Sequence, residues 1–132
     1  MIDQKTSARP LSPHLQIYRP MLTMMMSIMH RITGVALYFG IILLVWWLTA
    51  ASISDSYFDF VQVFFGHWFG RLLLFGFSWA LIHHALGGLR HLLWDTGRGF
   101  DLRIVEWLAR ANLAGSIVLT LLLWIIGYGV MP

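Results

Sequence analysis

The stretch His83-His84-Ala85-Leu86-Gly87-Gly88-Leu89-Arg90-His91 sets three imidazoles, a glycine pair and a guanidinium at the end of an apolar run. Imidazole is the commonest protein ligand for metals and a frequent axial ligand of haem iron. No Asp, Glu, Lys or Arg interrupts the sequence from Leu72 to Leu89. A helix through this run would lie in hydrocarbon, where an ionisable group is costly and marks a functional site by default. His84, Gly88 and His91 stand at i, i+4 and i+7, hence on one helix face. Gly88 would leave room beside His84 for a flat macrocycle. His84 precedes Arg90 by six residues, so it sits about 9 Å deeper along the axis. His83 points about 100° away and shares a face with Gly87 and Arg90. The spacing therefore leans toward His84 as a haem-iron ligand. It leaves His83 open, and it leaves open a histidine that merely hydrogen-bonds in packing.

A second polar group lies at Ser27, His30 and Arg31. On a helix these occupy adjacent turns. The guanidinium and the serine hydroxyl are donors that suit either haem propionates or a quinone carbonyl. Arg31 alone would read as an interfacial anchor. If the two segments form an antiparallel hairpin, both polar groups fall at the same side of the membrane.

The elements that must position them follow from composition. Of 132 residues, 58% are hydrophobic and 11% charged, against about 25% charged in soluble domains. The expected fold class is an all-α integral membrane protein with three transmembrane helices in a single unit, residues 1–132. Helices are expected over roughly 22–51, 61–94 and 105–130. Residues 1–21, with Lys5, Arg9, Pro10, Pro13, Arg19 and Pro20, read as an irregular arm on the membrane surface, because closely spaced prolines forbid a continuous helix. No charge occurs between Arg31 and Asp55 or between Arg110 and Pro132, and about 20 apolar residues suffice to span. Residues 52–60 and 90–110 read as connections, with Gly97 and Gly99 ending the second helix. Ala111, Ala114 and Gly115 suggest a close-packing face on the third span, and Met24-Met25-Met26 a lipid- or partner-facing patch.

Four of the nine Lys and Arg lie before Ile32, four lie from Arg90 to Arg110, and only Arg71 falls between the first two spans. The positive-inside rule then predicts a cytoplasmic N-terminus and an outside C-terminus. Neither a signal peptide nor a transit peptide is evident, so the expectation is a bacterial inner membrane rather than a mitochondrial one. Cysteine is absent, which excludes thiolate chemistry and Fe–S ligation by this chain. A catalytic head would have to be another subunit.

Two stretches resemble the cytochrome b556 membrane-anchor subunits of succinate dehydrogenase (succinate:quinone oxidoreductase, complex II). One is Arg9-Pro10-Leu11-Ser12-Pro13-His14-Leu15 followed by Ser27-Ile28-Met29-His30-Arg31-Ile32-Thr33-Gly34. The other is His84-Ala85-Leu86-Gly87-Gly88-Leu89-Arg90-His91, closing with Trp94-Asp95-Thr96-Gly97. Length and three-span layout match as well. The resemblance implies that His84 is the axial ligand of haem b, and that Ser27 and Arg31 bind ubiquinone. It places His30, Arg31 and His91 near the haem propionates. It implies a second hydrophobic anchor subunit that shares the haem and supplies the other axial ligand. It also implies a flavoprotein with covalent FAD that oxidises succinate and an iron–sulfur subunit that passes the electrons on. Three alternatives stay open: a quinol:fumarate reductase anchor, a haem-free structural anchor, and a self-contained bis-histidine cytochrome using His30 or His83.

Overall fold

The structure, a computed structural model, describes residues 11–130. After a 3-10 turn at His14–Gln16 come four helices: α1 Leu22–Ile53, α2 Asp55–Gly66, α3 Trp68–Asp95 and α4 Leu102–Val130. The first half of the expected surface arm, with Lys5, Arg9 and Pro10, lies outside the described residues. Three helices (α1, α3 and α4) are long and apolar enough to cross a membrane. With 32, 28 and 29 residues, each exceeds 40 Å at about 1.5 Å per residue, against a hydrocarbon core of about 30 Å. Their ends therefore reach the headgroups.

The helix expected over 61–94 is divided. Gly66 ends α2, and His67 turns the backbone out to φ −68°, ψ 154° before capping α3 with its ring. Part of the connection expected at 52–60 is itself helical, started by Ser54, whose hydroxyl accepts from the Tyr57 N–H. The short helix α2 buries Val61 and Phe65 on Ala50, within a ring formed by Leu43, Trp46, Trp47, Tyr57 and Phe64. The indole N–H groups of Trp46 and Trp47 donate to Tyr57 Oη (2.8 Å) and Gln62 Oε1 (3.0 Å). The tryptophan pair thus pins α2 to the end of α1.

The long connection expected at 90–110 shrinks to a turn. Thr96 caps α3, Gly97 and Gly99 take φ of +75° and +79°, and Asp101 Oδ1 accepts from the N–H groups of Arg103 and Ile104. A side chain with a Cβ is disfavoured at such φ values. Arg103, Glu106 and Arg110 consequently ride on the first turns of α4, where Glu106 and Arg110 pair at 2.6 Å.

The spans run up, down and up. α3 packs between α1 and α4, and α1 also touches α4. The buried face of α4 is Ala109, Asn112, Ser116 and Thr120, which is polar, and not the Ala111–Ala114–Gly115 stripe. Within the methionine triplet, Met26 turns inward at 2% exposure while Met25 faces out. Most large apolar side chains face outward, including Tyr38, Phe39, Ile42, Leu89, Ile125 and Ile126. Such a surface suits lipid tails or another membrane helix, not water.

Candidate functional site

Three histidines meet where the start of α1 faces the end of α3. The His30 and His84 rings stack with centroids 3.9 Å apart and planes 17° apart. His91 stands edge-on to His30 at 5.1 Å and to Trp94 at 5.1 Å. Small residues make this approach feasible. A Cβ on Gly87 would collide with the His30 ring, and one on Gly34 would lie 3.0 Å from His84 Cε1.

The tautomer of His84 follows from its partners. Its Nδ1 lies 3.1 Å from the His30 carbonyl oxygen and 3.3 Å from Thr33 Oγ1. A carbonyl only accepts, so Nδ1 carries the hydrogen. The Thr33 hydroxyl spends its own hydrogen on the carbonyls of Met29 and His30 and so accepts from the ring. Nε2 is left with its lone pair and no hydrogen-bond partner among the described residues. A metal-binding histidine is commonly fixed in this way, its other ring nitrogen donating to a backbone carbonyl. A Cβ added at Gly88, one turn on, would meet nothing within 4 Å. His30 Nε2 is buried within the chain and has no hydrogen-bond partner among the described residues. Among the described residues no three His, Asp or Glu side chains are arranged to hold a bare metal ion. The donor set fits a single axial ligand to a haem iron better than a multi-histidine centre.

Ser27 and Arg31 lie one turn apart on the exposed face of α1, and neither hydrogen-bonds another described residue. They border the histidine cluster and point outward from it. His91 is exposed, while His84 is half-buried.

His83 has a different environment. It is 1% exposed, with Nδ1 3.2 Å from Ser116 Oγ and 3.3 Å from Asn112 Nδ2 on α4. Its ring tilts against Trp79 at 5.1 Å. Arg90 is also buried on this side, over the Trp94 ring at 5.1 Å. The spacing of His83 relative to Gly87 and Arg90 did not disclose these α4 partners. Asn112 and Ser116, polar and four residues apart in an uncharged span, were the available signal. Thr33, on the His84 side, had a similar one.

A model of the succinate dehydrogenase/fumarate reductase transmembrane subunit matches residues 5–123. The chain belongs to that family. It is 45% identical over 126 residues to the succinate dehydrogenase cytochrome b556 subunit of Paracoccus denitrificans, covering 96% of this chain and 97% of that one. The subunit of the same description from Rickettsia typhi is 41% identical over 117 residues, covering 89% of this chain and 91% of its own length. A pig mitochondrial relative, a succinate dehydrogenase cytochrome b560 subunit, is 39% identical over 100 residues, covering 73% of this chain and 58% of its own length. The chain is accordingly a non-catalytic, cytochrome b-type membrane anchor of this enzyme class. Its three apolar spans and its bacterial relatives place it as a multi-pass protein of the bacterial inner membrane.

Proposed function

We propose that this chain is the haem- and ubiquinone-binding anchor of a succinate dehydrogenase, with His84 Nε2 as one axial ligand of haem b. The observation that carries the reading is the His84 ring itself: Nδ1–H is tied to the His30 carbonyl, and Nε2 keeps its lone pair with no hydrogen-bond partner among the described residues, one turn before a glycine with open space at its Cβ position. When bound, the haem would supply a one-electron carrier next to the quinone. The exposed His91 and Arg31 are donors suited to its propionate carboxylates, with His30 packed behind them against His84. The Ser27 hydroxyl and the Arg31 guanidinium donate to a quinone carbonyl oxygen. Negative charge grows on that oxygen as the quinone is reduced, and preoriented donors stabilise it.

Parallel rings 3.9 Å apart cannot present nitrogens to one iron from opposite sides, and His83 faces α4. The second axial ligand is therefore assigned to a second hydrophobic anchor subunit. The flavoprotein with FAD and the iron–sulfur subunit complete the assembly, in keeping with a chain that has no cysteine. The cationic ends of the spans support a cytoplasmic side for the N-terminus, the His30–His84–His91 cluster and the quinone site.

The test is a reduced-minus-oxidised spectrum of membranes carrying the complex, with succinate as reductant. A low-spin b-type signal is expected in the unaltered protein and in His83→Leu, and no signal in His84→Leu. Equal loss in both variants, or in neither, refutes the ligand assignment.

A further inference from the structure

At the end of the bundle away from the His30–His84–His91 cluster, a cavity of about 450 Å³ opens between α2, α3 and α4. Its walls include Phe65, Leu74, Leu123 and Trp124, with Arg71 and Gln62 also lining it. A second hollow of about 280 Å³ adjoins it, sharing Gln62, Phe65 and Leu74. Arg71 is the lone Lys or Arg between Arg31 and Arg90, and it has no carboxylate partner among the described residues. Its guanidinium rests 5.9 Å from the Tyr128 ring centroid, an arrangement that leaves its N–H groups free to donate. Gln62 Oε1 accepts from the Trp47 indole N–H, so its amide N–H groups remain as a second donor. The cavity extends from Arg71 to Ser78, about 10 Å along the helix.

We propose that this groove holds one anionic phospholipid, its phosphate on Arg71, its ester region at Gln62 and one acyl chain along Leu74, Phe65 and Leu123. The physical reasons are two. Apolar space left empty forfeits dispersion contacts on its walls, and in a bilayer the filler at hand is an acyl chain. A guanidinium at the headgroup level without a protein counter-charge is complementary to a phosphodiester. Glycines at the wall leave the room: a Cβ on Gly66 or Gly127 would touch nothing within 4 Å.

The experiment measures phosphatidylglycerol and ubiquinone that survive purification of the whole complex in detergent, by quantitative mass spectrometry per complex. Arg71→Gln removes the charge, and Gly127→Leu extends a side chain into the groove from a position where an added Cβ meets nothing within 4 Å. Arg103→Gln, on the far side of the bundle, serves as the control. The unaltered complex and the control should retain phosphatidylglycerol. Arg71→Gln should lower it roughly fivefold, the factor equivalent to about 1 kcal/mol per cationic side chain near anionic lipid, and Gly127→Leu should abolish it. Retention equal in all four overturns the proposal, as does an unaltered complex holding no phosphatidylglycerol, the result expected if a partner subunit fills the groove. Loss of ubiquinone in place of phospholipid from the two variants overturns it as well. Because Gly127 and Arg71 are remote from His84, haem content reports folding of each variant separately.

Discussion

The neighbouring glycines Gly87 and Gly88 should respond to substitution in opposite ways. A Cβ on Gly87 would strike the His30 ring, whereas one on Gly88 would meet nothing within 4 Å. Gly87→Ala therefore overpacks the α1–α3 contact, at a cost of about 1–3 kcal/mol, and the displaced His30 loses a ring stack of about 0.5–1.5 kcal/mol. The gain in helix propensity, about 1 kcal/mol, offsets only part. A net loss of about 0.5–3.5 kcal/mol is expected on those figures. Gly88→Leu starts from a Cβ position with open space and gains about 0.8 kcal/mol of propensity, so the chain itself should fold at least as well. If a haem lies against Gly88 with its iron on His84, the same leucine occupies the macrocycle's place. The assay is haem per complex from absorbance, paired with the thermal unfolding midpoint of the complex freed of haem. Gly87→Ala should lower the midpoint, and Gly88→Leu should lower haem content alone. A Gly88→Leu complex with full haem content would refute the placement of the cofactor on the His84–Gly88–His91 face.

Other outcomes follow from the same contacts. Ser27→Ala and Arg31→Leu should reduce ubiquinone reduction roughly 10- to 100-fold, the equivalent of about 1.5–3 kcal/mol for a hydrogen bond to a charged group. Succinate oxidation with an artificial acceptor should stay unchanged, and an equal fall in both assays would make these residues structural. Asn112→Ala should destabilise the α3–α4 contact by about 0.6–1.7 kcal/mol, the range for hydrogen bonds between membrane helices, read as a lower unfolding midpoint with the haem spectrum retained. A lost spectrum would instead show that Asn112 is needed to hold α3, and with it His84, in place. Trp46→Phe removes the bond to Tyr57, worth about 0.5–1.5 kcal/mol. Amide exchange in α2 should rise selectively, and unchanged exchange would show that apolar packing alone holds α2.

The three spans were legible because charge-free runs of sufficient length have few other uses. The break at His67 was not, since α2 and α3 are both apolar and hydropathy does not register an extended residue between them. It takes the indole bonds of Trp46 and Trp47, contacts across 11 and 15 residues, to hold α2 apart as its own helix. The turn at 96–101 was misread for a related reason: charge suggested a loop, yet Asp101 caps a helix that carries Arg103, Glu106 and Arg110 beyond the membrane. At the candidate site, spacing brought His84, Gly88 and His91 to one face. It could not show that His30 stacks on His84, because that contact joins two helices.

The adjacent imidazoles of His83 and His84 show what spacing leaves undecided. Each has a glycine one turn on and a basic residue two turns on, so helix geometry treats them alike. The helices on either side do not. Asn112 and Ser116 of α4 engage His83 through Nδ1 and close over it. The His30 carbonyl of α1 takes the Nδ1 hydrogen of His84 and leaves its Nε2 lone pair unclaimed. The two arrangements are coupled through the rotation of α3, since a turn that releases His83 from α4 also swings His84 off the His30 carbonyl. Polar contacts on α4 thus help to set the orientation of the His84 ring. Weakening them in Asn112→Ala therefore tests whether rigid placement of α3 depends on one polar partner or on Ser116 and the Trp79 packing together.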